Sequence, residues 1–494
     1  MKKEINIYYL LYAISCIFIF LRLEINYGSD LKAPFTDDFY YYLTTARNLL
    51  SYKLISFDQI SITNGFQPLW FLIIVILKFL IQNEILFNSS IIVLIFILSL
   101  FTFRNLKFFL EKQNYSEASS TFISVSVSFL SLFFSKNGME ISLAIFLFSK
   151  SLIYLNQNKI IFCFFAFLTF LSRLEFILFY FIILFHESFF EKKIFKIKYV
   201  LKISILPILI IIYMTINYFF FKNLFPESGL AKSLSIETKF NHETFSFLSS
   251  AGLGKRFISL LFYINIFGLF FIFSKFLSKF TKFALITCLI YFVSTSLRSA
   301  WPLWTWHFFF LSISTPMVLD DFTKFFKFNL IKYRTTFVCI FFALTYFILF
   351  IKNYGINNDH ILNIAKKISD HYKSSGYEKF AMGDMAGKTS YLLNKKLIQL
   401  EGLVGGKKIL YSIKNQHSLC KIFNDLDIEI YLASRVKRVN NKFLVQEPSQ
   451  SSKNVKKMRA FILNEPDIIF KSGDIKIFAF NMKNKQNCEN YSKN

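Results

Sequence analysis

Long apolar runs recur along most of this chain, and they constrain its fold more than any other feature. One follows the basic start "MKKEINIYYLLYAISCIFIFLRL", and others lie near 67–83, 88–103, 118–135, 139–156, 159–181, 199–221, 257–274, 280–297, 303–319 and 335–352. Runs of roughly 18 or more apolar residues read as membrane helices. Over 494 residues the mean hydropathy is +0.44 and 54% of residues are hydrophobic, which no soluble fold of this length carries. The sequence therefore predicts a mainly α protein: a polytopic transmembrane bundle of about ten to twelve helices over residues 1–352, then a polar region, 353–494. That tail is long enough for one small domain.

The net charge of +26 fits the membrane reading. Lysines gather in short loops between apolar runs, as cytoplasmic loops require, so nucleic acid is not an expected partner. By this rule "FEKKIFKIKY" (190–199), "KFLSKFTK" (275–282) and "DDFTKFFKFNLIKYR" (320–334) are cytoplasmic. The first outer loop (23–66), the 222–256 loop and the C-terminal region then lie outside a cytoplasmic membrane. "RNLKFFLEK" (104–112) is also basic, yet counting from a retained first helix puts it outside. Three solutions remain open at this level: a re-entrant run near 67–83, two short helices meeting at "SRLEF" within 159–188, or a basic loop that breaks the rule.

The residues able to carry chemistry cluster in the loops expected outside. "FTDDFYYYLTTARNLL" sets Asp37 and Asp38 at the start of an expected interfacial helix that also carries Arg47. Such carboxylates favour a helix dipole, but capping needs only one of them. An adjacent pair at the mouth of a bundle can supply a general base and a substrate or metal ligand. "SITNGFQPLW" places Asn64 and Gln67 in a turn before a helix start, and "KNGMEISLAIF" puts Glu140 at the edge of an apolar run. Arg173 and Glu175 lie inside the apolar stretch "LSRLEFILF", where charges are either mutually paired or functional. Lys232 in "FPESGLAKS" is a cation on the outer side, suited to a phosphate. "SLRSAWPLWTWHFFF" adds Arg298 and His307 among three tryptophans at an expected membrane interface.

The C-terminal region mixes helical and strand patterns and predicts a small α/β domain. "DHILNIAKKISDHYKSSG" reads as a helix. "KFAMGDMAGKTSYLL" reads as strand, turn and helix, with Asp384 capping that helix, and "KKLIQLEGLVGG", "LDIEIYLAS" and "DIKIFAFNM" read as strands. The six cysteines include no C-x-x-C pair, but Cys420 and Cys488 can pair if this region is extracytoplasmic.

Taken in order, "TDDFYYYLTTARNL", "TNGFQPLWFLI", "NGMEISLAIF", "LSRLEF", "NYFFFKNLFPESGLAKS" and "GDMAGKTSYLL…IQLEGLVG" resemble a bacterial branch of the GT-C superfamily of polytopic glycosyltransferases. Protein mannosyltransferases, the aminoarabinose transferase of lipid A and mycobacterial arabinofuranosyltransferases belong to it. The resemblance runs from about residue 30 to 405. It implies transfer of a sugar from a polyprenyl-phosphate donor in the membrane to a glycan or glycolipid acceptor outside it. It also implies Asp37 as general base and Asp38 as a helper or metal ligand; no cofactor is indicated beyond a divalent metal. Where relatives read His-Pro-Leu-Trp, this chain has Gln67, a neutral hydrogen-bond donor. Direct displacement inverts the anomeric centre and needs no nucleophilic carboxylate. A transporter or flippase of lipid-linked saccharides is the main alternative, and a non-enzymatic scaffold another. No internal repeat supports the former, and a scaffold needs only one helix.

Overall fold

The computed structural model describes residues 35–135, 137–249, 253–326, 359–450 and 452–491. The expected first helix and the run at 335–352 lie outside the described residues. Helix α1 (Asp37–Tyr52) opens the described chain. It is followed by α2 (Pro68–Leu80), α3 (Glu84–Lys112), α4 (Glu117–Ser135), α5 (Ile141–Tyr154), α6 (Lys159–Ser172) and α7 (Ile177–Phe185). Then come α8 (Ile197–Ile203), α9 (Ile205–Phe221), α10 (Glu227–Lys232), α11 (Leu253–Phe270), α12 (Lys279–Arg298) and α13 (Leu311–Phe325). Among the described residues, four continuous helical stretches are long and apolar enough to cross a bilayer: α3, α4, α8 with α9, and α12. The protein is a multi-pass membrane protein.

Local chemistry sets where these helices begin. Pro68 starts α2, at a position that needs no N–H donor. Asn83 and Asn158 accept the free N–H groups at the starts of α3 and α6, and Ser278 does so for α12. Small hydroxyl residues let α3 and α4 approach closely. Ser99 donates to the Ser128 carbonyl at 2.7 Å and lies 3.1 Å from the Ser131 hydroxyl.

Two of the three open topological solutions occur together. Helix α2 has 13 residues, about 20 Å of rise, and does not cross. Lys78 near its end pairs with Glu84 at 2.6 Å, and Glu84 itself bonds Tyr391 of the C-terminal domain. So α2 begins and ends on the domain side. Helices α6 and α7 form a hairpin broken at Arg173, and its two far ends meet where Lys159 pairs with Glu187 at 2.5 Å. With these two returns, the basic segments 104–112, 190–199 and 275–282 all lie on the face away from the domain.

The C-terminal domain contributes α14 (His360–Tyr372), α15 (Ala386–Leu393), α16 (Gly406–Lys414) and α17 (Leu419–Asp425). Its first sheet has the order β2-β1-β3-β8-β7, built from β1 (Lys379–Met382), β2 (Lys396–Gln399), β3 (Ile430–Ala433), β7 (Ile468–Ser472) and β8 (Ile475–Asn481). Strand β1 runs parallel to β2 and β3, while β8 is antiparallel to both its neighbours. A second, antiparallel sheet of order β4-β5-β6-β9 was not foreseen. It holds β4 (Val436–Val439), β5 (Lys442–Glu447), β6 (Met458–Ile462) and β9 (Cys488–Asn490). Cys420 and Cys488 form a disulfide joining α17 to β9.

Helix α1 is not the membrane-surface helix its aromatics suggested. Phe39, Tyr40, Tyr41 and Tyr42 are all buried in protein. Phe39, Tyr40 and Tyr42 pack into the bundle core, and Tyr41 packs with Phe57 against the C-terminal domain. The helix is thus wedged between the two parts of the molecule.

Candidate active site

Asp37 and Asp38 begin α1, as the sequence predicted, but Asp37 does not cap its own helix. Its carboxylate accepts the Gly387 N–H at 3.0 Å and the Lys388 N–H at 2.7 Å. These are free donors at the start of α15. The expected cap, Asp384, instead accepts from the adjacent Met385 N–H at 3.0 Å. At the other end of α15, the Arg47 guanidinium donates to the carbonyls of Tyr391 (2.8 Å) and Ser390 (3.4 Å). One helix of the first loop therefore holds both ends of a helix from the C-terminal domain, anion at its N-terminus and cation at its C-terminus.

Asp38 has no hydrogen bond or ion pair among the described residues. Both aspartates keep part of their surface open yet lie deep within the protein mass. Burial pushes Asp37 up to about 6, against the two N–H groups that hold it down. Burial pushes Asp38 up to about 7, against the Lys232 ammonium. Burial also pulls Lys232 below its ordinary value, and the Asp38 carboxylate is the main opposing influence. The two side chains are thus electrostatic neighbours without direct contact.

Lys232 ends the short α10, and its Nζ lies 3.5 Å from His307 Nε2. The Trp304 N–H donates to His307 Nδ1 at 3.2 Å, so a neutral ring carries its proton on Nε2. With Lys232 as ammonium, neither group accepts from the other, and both can donate to one anion.

Arg173 is fully engaged. It donates to Glu140 at 2.6 Å and forks onto Glu175 at 3.2 and 3.1 Å, with its guanidinium over the Phe309 ring at 4.8 Å. Such a fork is the geometry in which Arg binds carboxylates best. Tyr42 extends the network, donating to Glu140 at 3.3 Å and accepting the Gln67 N–H at 3.2 Å. Gln67 thus joins through its backbone, while its side-chain Oε1 is buried without a partner among the described residues.

The structure brings together Asp37, Asp38, Lys232 and His307, with the Glu140–Arg173–Glu175 triad and Gln67 beside them. Three other predicted residues stand apart. Arg47 docks α15. Asn64 accepts the Glu227 N–H at 3.1 Å and so fixes the start of α10. Arg298 is exposed at the end of α12, with no partner among the described residues.

Reading the sequence missed Glu401 and Glu447, which lie near Asp384 in the C-terminal domain. Both are buried, and burial pushes Glu447 up to about 8 and Glu401 well above the usual carboxylate range. Tyr431 donates to Glu447 at 3.0 Å. Tyr42 was also missed; nothing in a run of tyrosines marks which one reaches Glu140. Among the described residues, no group of three or more His, Cys, Asp or Glu side chains is arranged to hold a metal.

Neither protein-family models nor curated protein sequences give a match to this chain. Among solved structures, it is similar to the crystal structure of ArnT from Cupriavidus metallidurans bound to undecaprenyl phosphate. The two share 9% identity with a TM-score of 0.54, over 95% of this chain and 97% of that one. At this identity the likeness concerns the fold alone, and it spans bundle and C-terminal domain together.

Proposed function

We propose that this protein is an inverting membrane glycosyltransferase that moves a sugar from a polyprenyl-phosphate donor to a glycan or glycolipid acceptor. The observation carrying this reading is the carboxylate pair Asp37–Asp38 with the Lys232 ammonium as the electrostatic neighbour of Asp38 and the neutral His307 ring 3.5 Å from Lys232. A sugar hydroxyl is a poor nucleophile and needs a base. The departing polyprenyl phosphate gains negative charge as its bond to the sugar breaks, and donors aimed at it stabilise the transition state more than the ground state. Asp37 is the base, aimed by the Gly387 and Lys388 N–H groups, and Lys232 with His307 receives the phosphate. The ArnT structure was solved with undecaprenyl phosphate, a ligand of this chemistry, in a similar fold.

The far face carries the basic segments, so the positive-inside rule makes it cytoplasmic. The site, the C-terminal domain and its disulfide then face outward from a cytoplasmic membrane. A divalent metal, if one takes part, would be held at Asp38, the carboxylate that no N–H group engages.

One observation favours a second assignment within the pair. Asp38 is unbonded and titrates at about 7, near the value an efficient base requires. Reconstituted protein, supplied with radiolabelled polyprenyl-phosphate sugars and envelope glycolipids, tests both assignments. Wild type transfers label, and whichever of Asp37→Asn and Asp38→Asn replaces the base loses about 10²–10⁴-fold in rate. Unimpaired transfer in both variants would overturn the reading.

A further inference from the structure

The end of the bundle away from the carboxylate pair carries a second concentration of positive charge. A cavity of about 680 Å³ opens there between α3 and α5; three cations, Arg104, Lys107 and Lys150, and one carboxylate, Glu111, line it together with Phe108, Tyr154 and other residues. Its place across the membrane follows from helix rise. Arg104 stands 20 residues beyond Glu84, which bonds the C-terminal domain, so it lies about 30 Å further along α3. Lys150 stands 10 residues beyond Glu140, about 15 Å along α5 from the candidate site.

The charges of this cavity are not balanced from within. Lys107 is shared between Glu111 at 3.7 Å and Glu117 at 3.6 Å. Arg104 and Lys150 have no hydrogen bond or ion pair among the described residues. Lys150 instead lies over the Tyr154 ring, 5.8 Å from its centre. The cavity wall is pinned by Asn105, which donates to Ser149 of α5 at 3.2 Å. Phe108 is exposed at the rim, at the depth where aromatic rings meet headgroups. Its volume falls in the range of small-molecule sites.

We propose that this cavity binds a phosphate-bearing anion, presented in the membrane as the headgroup of an anionic phospholipid. Arg104 supplies a planar fork for two phosphate oxygens, and Lys150 a point charge beside it. Basic pockets between helices at this membrane face take lipid headgroups by the same chemistry. The aromatic rim covers the glycerol end. The site is separate from the carboxylate pair and does not depend on the reaction proposed for it.

Native mass spectrometry of the full-length protein in detergent tests this, with dioctanoyl phosphatidylglycerol, dioctanoyl phosphatidylcholine and inorganic phosphate as probes. Phosphatidylglycerol should bind saturably and phosphatidylcholine weakly. The double substitution Arg104→Gln with Lys150→Gln should weaken phosphatidylglycerol binding about thirtyfold, and each single one about fivefold. Lys476→Gln, an exposed cation of the C-terminal domain, should leave it unchanged. The single variants keep the test valid if the double one unfolds. Displacement of phosphatidylglycerol by inorganic phosphate would support the same site with free phosphate as a second source, and failure to displace would assign it to lipid. Equal binding of both lipids, or wild-type binding by the variants, would overturn the proposal.

Discussion

Asp37 accepts the backbone N–H of Lys388 at 2.7 Å, although 351 residues separate them. The carboxylate of the first loop is thereby the N-terminal cap of a helix in the last domain. Arg47, on the same helix as Asp37, completes the clamp at the other end. Any reaction that uses Asp37 consequently depends on how the C-terminal domain sits. Disturbing the domain contact should disturb both stability and catalysis, whereas a simple tether would allow the two to be separated.

Gly387 tests this coupling. A Cβ placed on it would overlap the Asp37 carbonyl oxygen and approach the carboxylate at 3.0 Å. Gly387→Ala is expected to cost about 1–3 kcal/mol of stability, as overpacking does, and to lower transfer together with it. Gly376→Ala, where a Cβ would meet nothing within 4 Å, should change neither. Chemical denaturation and limited proteolysis of the two variants, run beside transfer assays, read the difference.

The Glu140–Arg173–Glu175 triad makes a second prediction. Arg173→Met removes the only cation bonded to Glu140 among the described residues; Glu140 is 1% exposed, and the change should destabilise by about 3–5 kcal/mol. Arg173→Lys should recover little, because one ammonium cannot reproduce the fork onto Glu175 together with the bond to Glu140. Adding Glu140→Gln to Arg173→Met should restore part of the loss by removing the stranded charge. Thermal unfolding in one detergent measures all three.

The bundle was legible because a bilayer demands long apolar helices, and the paired aspartates because two adjacent carboxylates exceed what a helix start needs. The salt bridge of Arg173 with Glu175 was legible from their cost inside an apolar run. Helix α2 was not: 67–83 has the composition of a crossing, and only the pairing of Lys78 with Glu84 and the bond of Glu84 to Tyr391 reveal that it returns. The roles of Arg47 and Asn64 were hidden for another reason. Their partners, Tyr391 and Glu227, lie 344 and 163 residues away, and no local spacing encodes such pairings. The second sheet escaped notice because its strands are short and separated by polar turns.

Lys232 gives a kinetic prediction. If it stabilises charge on a departing phosphate, Lys232→Gln should lower kcat by about 10²–10³ and change KM far less. A lysine that merely holds the donor in its ground state would raise KM and spare kcat. Steady-state transfer at varied donor concentration separates the two.

The pH dependence follows from the same pair, and activity and stability should run in opposite directions. Burial raises Asp37 to about 6 and Asp38 to about 7, from an ordinary value of 3.8. Because the two interact, they titrate as a pair in two steps. A base works only once deprotonated, so transfer should fall as pH drops from 7 towards 5, and not near 4 as for an exposed carboxylate. Stability has the other sign. Between pH 4 and 7 the folded protein holds protons that the unfolded chain has released, so these two groups favour folding at acid pH and progressively oppose it as pH rises. Asp38→Asn should flatten that slope, because an amide does not titrate. Transfer rate and denaturation midpoint, measured from pH 4.5 to 8 on wild type and Asp38→Asn, give both profiles. A wild-type stability that climbs through this window with the same slope as the variant would exclude a raised value for Asp38.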